Sequence, residues 1–295
     1  MKSALAKIAV KTLLGCIIPI LILLAWHAYT RTGSIDGVNP IVGQGEVLPK
    51  PEAVLDVLLH PFRETEGFYC KPIGDCVTIS VLRMLCGFIL AAISGIVVGI
   101  ALGASKTFSA MFAPITSAAM AISPLAWIPL AIIFIGAGTP AEWIAGEQNA
   151  HNYPLLDSLK FAVILIIWAG AFFPIALSTA QGIRNVRWSH LEIAKSLGAD
   201  RFQIIKMVIF PSSLPSIFTG LRLGAGVAWR VILAAEMFPG TTGGLGFLIQ
   251  TAQNESAFSY AFAGVVMIAG IGILFDGIMR LLQWKITSWC KEQTY

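Results

Sequence analysis

The sequence predicts an all-α integral membrane protein with about six transmembrane helices. Three observations carry this expectation. Hydrophobic residues make up 56% of the 295-residue chain and charged residues only 12%, against about 45–50% and about 25% in soluble domains. Mean hydropathy is +0.78. The apolar residues fall into runs long enough to span a bilayer, about 20 residues each, separated by polar stretches that hold most of the charge. The expected organisation is an N-terminal helix over 1–30, an external loop with an amphipathic helix over 31–75, and a core of five further spans over 76–295. That core carries a polar cytoplasmic loop at 184–213.

The first span, Thr12–Tyr29, follows Lys2, Lys7 and Lys11 and reads as a retained helix rather than a cleaved leader. In the long loop that follows, PEAVLDVLLHPF sets Val54, Leu55, Leu58, Leu59 and Phe62 on one helical face. Such a helix lies on the membrane surface or packs on the end of the bundle. The second span, about Cys76–Gly103, places Gly87, Ala91, Gly95, Gly99 and Gly103 at a spacing of four. That spacing makes a seam along which another helix can approach closely. Arg83 in the same span reads as structural.

The third span, about Phe108–Gly136, contains Pro114, Pro124 and Pro129. Prolines free backbone carbonyls, which must then be satisfied by protein or by a water-lined path, so SPLAWIP at 123–129 is either a pathway segment or a kinked packing helix. The loop 137–157 carries Glu142, Glu147 and Asp157 with no Lys or Arg and should face outward. His151 in it is a solvated side chain. The fourth span, about Ser158–Ala180, leads to a stretch with Arg184, Arg187, Lys195, Arg201 and Lys206. By the positive-inside rule this stretch is cytoplasmic, as are both termini.

The fifth span, about Leu214–Ala235, holds Arg222 and Arg230 and ends at Glu236. A charge inside a span is costly unless paired or hydrated. Arg222 either makes a structural contact to a lipid headgroup or a neighbouring loop or meets substrate, whereas Arg230 pairs with Glu236, snorkels, or offers a guanidinium to a planar oxyanion. GTTGGLG at 240–246 reads as a flexible external segment suited to an outer gate or a hairpin. In the sixth span, about Phe258–Leu282, Asp276 and Arg280 are four apart, as a helical ion pair requires. Candidate pathway residues are Ser123, Trp127, Trp229, Arg230 and Glu236.

Several function classes are excluded. The net charge of +4 is spread along loops, not gathered into a stripe, so nucleic acid is not an expected partner. The five cysteines have no zinc or haem spacing, and no metal site is expected. Cys70 and Cys76, near the outer face, either bridge or remain two thiols. GASKT at 103–107 lacks the glycine of a Walker A loop, so any ATP must be hydrolysed by another chain. A membrane-embedded enzyme would need clustered polar groups, but His27, His60, His151 and His190 fall in four different segments. A stand-alone secondary transporter would usually show an internal repeat, and none is evident.

Within the polar cytoplasmic stretch, Glu192, Ala194, Gly198 and Pro211 stand in the register of Glu-Ala-Ala, three residues, Gly, nine residues, Ile-x-Leu-Pro. This resembles the EAA loop of binding-protein-dependent ABC importer permeases. Ile193, Val208 and Phe210 depart from the pattern by apolar exchange. SPLAWIPLAIIFIGAG from Ser123, GAFFPIALSTAQGIRNV from Gly170 and GLRLGAGVAWRVILAAEM from Gly220 look like the nitrate, sulfonate, taurine and bicarbonate branch of that family. In that branch Arg230 stands where an aliphatic residue is expected.

The resemblance implies a type I ABC importer permease fold in a bacterial inner membrane, and a transport subunit rather than an enzyme. Its implied partners are cytoplasmic ABC ATPase subunits, an external solute-binding protein and a second permease copy, a homodimer, in a lipid bilayer. It implies no cofactor on this chain, with ATP used by the partner subunits. It also implies that Glu192, Ala194, Leu197, Gly198, Ala199 and Pro211 couple to the ATPase.

Overall fold

The architecture is that of a computed structural model, which describes residues 17–18, 21–30, 48–63, 70–136, 138–146, 148, 152–238, 241 and 243–287. The start of the expected first span, Glu147, His151, Cys16 and Cys290 lie outside them. In chain order the helices are α1 (Leu21–Thr30), α2 (Pro51–Leu59), α3 (Ile73–Ala104), α4 (Lys106–Ala121), α5 (Trp127–Ile135), α6 (Pro140–Ala145), α7 (Pro154–Asp157), α8 (Phe161–Arg184), α9 (Trp188–Ser196), α10 (Arg201–Ile204), α11 (Phe210–Glu236), α12 (Leu245–Asn254) and α13 (Phe258–Thr287). Among the described residues five helical segments are long and apolar enough to cross a membrane: Ile73–Ala104, Pro124–Ile144, Phe161–Arg184, Phe202–Glu236 and Phe258–Thr287. The bundle has two ends, one marked by α9 and the other by α12.

The glycine seam organises the core. Gly87, Gly95, Gly99 and Gly103 of α3 face Ile167, Ile175, Thr179 and Ile183 of α8 in a parallel register. A Cβ on Gly99 would stand 2.6 Å from the Ala176 carbonyl, so only glycine lets the two backbones come this close. The opposite face of α3 carries Ile89, Leu90, Ile93 and Val97, all exposed. Small residues inward and large aliphatics outward is the arrangement of a helix whose solvent is lipid, where packing must come from close approach. The Trp168 indole of α8 adds a bond across the seam to Ser94 Oγ at 2.9 Å.

On its other side α8 packs antiparallel to α11, with Gly220 and Gly224 against Ile175. Beyond that, α13 lies antiparallel to α11. Trp229 stacks on Phe275 with ring centroids 5.8 Å apart and donates to the Ile268 carbonyl at 3.1 Å. Helix α2 packs on α13 at the α12 end through its buried Val54, while Leu55, Leu59 and Phe62 stay exposed.

The structure corrects three expectations. The third span is not one helix, because α4 stops at Ala121 and a single 3-10 turn, Pro124–Ala126, intervenes before α5. Ser123, held extended at φ −58° and ψ 134°, obeys the restriction on a residue before proline. The fifth helical segment begins well before Leu214, since α10, a π-helical turn over Ile205–Ile209 and α11 follow one another without a gap. Finally, the glycine-rich stretch after Glu236 is not an open loop: Thr241 and Gly243–Gly246 are buried and lead into α12, a helix the apolar pattern did not separate from its neighbours.

Candidate functional site

The segment between α8 and α11 forms an elbow at the α9 end. Arg187, extended at φ −59° and ψ 129°, separates α9 from α8. After Leu197 the helix closes in a Schellman turn: the Gly198 amide donates to the Lys195 carbonyl at 2.9 Å and the Ala199 amide to the Ala194 carbonyl at 3.0 Å. Gly198 takes φ +79°, a conformation that side chains resist and glycine does not. Helix then resumes, with the Asp200 amide donating to Gln203 Oε1 at 2.9 Å.

The π-helical turn stands where Pro211 and, four residues on, Pro215 cannot donate to the preceding turn. Despite it, helix is continuous from Phe202 to Glu236, so the elbow is mechanically joined to a 35-residue segment.

The surface of α9 is mixed. Glu192 accepts from the Trp188 indole at 2.6 Å, and the Lys195 ammonium lies 5.4 Å from the centroid of the same ring. Trp188, Ile193 and Phe202 are exposed, and Leu197 is 82% exposed. Ala194, Ala199 and Pro211 are half-buried. These exposed apolar side chains stand among the charges of Glu192 and Lys195, a pattern found on interaction surfaces.

At the α12 end four chain segments converge on a buried polar knot. Arg83 and Glu236 are both 0% exposed, and Arg83 Nη1 meets Glu236 Oε1 at 3.0 Å. Ser80 Oγ donates to the same carboxylate at 2.8–2.9 Å, and the Gly246 amide donates to Oε2 at 3.1 Å. Arg83 Nε donates to the Ser158 carbonyl at 2.7 Å and Nη1 to the Gly243 carbonyl at 2.9 Å. The Leu245 amide donates to Ser80 Oγ at 2.9 Å. Glu236 thus supplies negative charge to the N-terminus of α12, where the first amides have no helical acceptor. Gly244, at φ +111°, is so close to this carboxylate that a Cβ would collide with it.

These contacts reassign the pathway candidates. Glu236 belongs to the knot and Trp229 to the core, so neither lines an open surface. Nor does Glu236 pair with Arg230: six residues turn a helix through about 600°, which puts the two side chains on different faces. Arg230 is exposed instead and its Nε donates to the Gly226 carbonyl at 3.1 Å. Gly226 and Leu223, on the same face, are also exposed.

Ser123 is exposed at the break before α5. Trp127 lines a pocket of about 210 Å³ together with Met120, Pro124, Phe173, Pro174 and Val227. This lining is apolar and offers no charge to an anion. Arg222 meets neither a loop nor an open path: it reaches Asp276 of α13 at 2.7 Å, and Arg280 reaches the same carboxylate at 2.8 Å.

Sequence reasoning missed Ser80 and the partnership of Arg83. The signal was present, since two intramembrane charges of opposite sign require partners, but the nearer arginine in the chain drew the assignment.

The profile of the family described as "Binding-protein-dependent transport system inner membrane component" matches residues 95–288. The chain belongs to this family. This permease is a multi-pass membrane protein. A putative ABC transporter permease of Methanocaldococcus jannaschii is 35% identical over 253 residues, covering 86% of this chain and 84% of that protein. The taurine transport system permease TauC of Escherichia coli is 34% identical over 245 residues, 83% of this chain and 81% of TauC. The bicarbonate transport system permease CmpB of Synechococcus elongatus is 30% identical over 261 residues, 88% and 84% of the two chains. Among solved structures, the MetNI methionine ABC transporter in inward-facing conformations superposes with a TM-score of 0.52 at 16% identity. The match covers 70% of this permease and 94% of that chain, and it shows a shared fold.

Proposed function

We propose that this permease is the membrane half of an ATP-driven importer of a small oxyanion, with nitrate, a sulfonate such as taurine, or bicarbonate as the cargo class. The observation that carries the proposal is the elbow: an exposed, partly apolar helix closed by a glycine turn and continuous with the longest helical segment of the bundle. A partner that seats on Trp188, Ile193 and Leu197 can push the α11 span as a lever. In this reading the EAA-type loop, Glu192 to Pro211, docks a separate cytoplasmic ATPase subunit, which alone binds and hydrolyses ATP. The chain itself holds no cofactor.

The sides follow from charge. Arg184, Arg187, Lys195, Arg201 and Lys206 fall between the α8 and α11 spans, which supports a cytoplasmic α9 end and cytoplasmic termini. The α12 end then faces outward, toward a solute-binding protein. Two copies of the chain enclose the path, with the exposed face of α11 bearing Leu223, Gly226 and Arg230 between them. Names of the relatives support the cargo class, taurine and bicarbonate being small anionic or zwitterionic oxyacids, and a guanidinium on an open face suits an oxyanion.

Copurification tests the reading. The wild-type chain is expected to capture its ATPase from detergent-solubilised membranes. Leu197→Asp should insert normally yet lose both the ATPase and uptake, and a variant that keeps both would sink the proposal.

A further inference from the structure

Residues 70–72 form a strap that crosses the α12 end before α3 begins. Pro72 caps the helix, and the Cys76 amide, one turn in, donates to the Pro72 carbonyl at 3.1 Å. Cys76 is 0% exposed, and its thiol donates to the Lys71 carbonyl at 3.5 Å. Cys70 is half-buried and packs on the same apolar cluster as Cys76, as well as on a smaller cluster with Ile249, Ala252 and Ala261. Cys70 directly precedes Lys71, whose carbonyl the Cys76 thiol reaches, so the strap brings the two cysteines together. Lys71 between them lies beside Gly243, whose carbonyl accepts from Arg83. The strap therefore lies beside the loop that closes the knot.

We propose that Cys70 and Cys76, both thiols in this structure, are joined by a disulfide in the inserted protein and that the bridge staples the strap beside the Arg83–Glu236 pair. This rests on the outward assignment of the α12 end made above, because disulfides persist on the oxidising side of a membrane. The oxidant is a dithiol carrier protein in its disulfide form. The Cys70 thiolate attacks one carrier sulfur, giving a mixed disulfide and a carrier thiolate. Cys76 then passes its proton to that carrier thiolate and attacks Cys70 Sγ, expelling the second carrier thiolate. Two thiols lose two protons and two electrons, and the carrier disulfide becomes a dithiol.

The order follows from access and acidity. Cys70 is the sulfur a carrier can reach. Its thiol is more acidic than usual, chiefly because the Cys76 thiol can turn its proton from the Lys71 carbonyl to the Cys70 sulfur, with further help from Lys71. The thiolate is the attacking form.

The test uses the full-length wild-type chain in native membranes, denatured in N-ethylmaleimide without reductant and analysed by mass spectrometry. The expected product has residues 70 and 76 unlabelled and linked, two hydrogens lighter than the dithiol, with both labelled after dithiothreitol. Reduction should also lower the thermal unfolding midpoint of the wild type to that of Cys70→Ser, which should not respond to reductant. Ready labelling of both residues without reductant overturns the bridge.

A second measurement separates this from the topology. Arg63→Cys in a Cys70→Ser/Cys76→Ser background should react with a membrane-impermeant maleimide on intact cells. If it reacts while the native pair is found alkylated, the bridge alone is wrong. If it does not react, the outward assignment fails and the proposal falls with it.

Discussion

Arg83 and Glu236, 153 residues apart in the chain, form a fully buried ion pair with 3.0 Å between Nη1 and Oε1. Each remaining polar group that faces them is used: Ser80, the carbonyls of Ser158 and Gly243, and the amides of Leu245 and Gly246. The pair ties the start of α3, the approach to α8, the end of α11 and the start of α12 into one block. Breaking a buried pair by removing one partner costs about 3–5 kcal/mol, since the other charge is left without compensation.

Arg83→Met and Glu236→Leu are therefore each expected to lower the thermal unfolding midpoint in detergent sharply. Arg83→Met/Glu236→Leu should recover part of the loss, but not all, because the Gly246 amide would have no acceptor. Midpoints from a fluorescence unfolding series check this. Strictly additive losses would show that the two side chains do not act as a pair.

The elbow turn yields a second prediction. Gly198 has open space around its Cβ position, so its φ of +79° is what restricts substitution. Gly198→Val places a β-branched side chain in that conformation at a cost of about 1–3 kcal/mol. The expected result is normal insertion with uptake reduced and ATPase capture weakened, measured in the same copurification. Gly198→Asn, which tolerates left-handed backbone better, should retain more of both.

Gly99 tests the seam. Because a Cβ at this position would stand 2.6 Å from the Ala176 carbonyl, Gly99→Leu must drive α3 and α8 apart, an overpacking that costs about 1–3 kcal/mol or more. Faster proteolysis in detergent and a lower unfolding midpoint are expected. Ile93→Leu, on the exposed face of the same helix, should leave both unchanged.

Arg230 tests the path. Because it makes no contact with Glu236 and stands on the exposed face of α11, Arg230→Leu should spare the unfolding midpoint while reducing uptake or shifting preference among nitrate, taurine and bicarbonate in reconstituted vesicles. Arg230→Lys should keep part of the activity, since charge is retained and the planar fork is lost. Unchanged uptake and preference in Arg230→Leu would remove this residue from the path.

Much of the fold is read from local pattern. Apolar runs of spanning length, the four-residue glycine spacing of α3 and the i, i+4 pair Asp276–Arg280 each depend on neighbours within a turn or two, and the structure shows each. The polar elbow with its central glycine is legible for the same reason: a Schellman turn is built from six consecutive residues. The tertiary structure decided which charges meet. Arg83 finds Glu236 rather than Arg230 doing so, because helix phase places residues 230 and 236 on different faces while the folded chain brings α3 alongside the end of α11. The burial of Gly243–Gly246 and the separation of α12 also escaped the sequence, since an apolar, glycine-rich run has the same composition whether it loops outside or caps a knot. Only the carboxylate it must cover distinguishes the two, and that carboxylate lies beyond the reach of any local pattern.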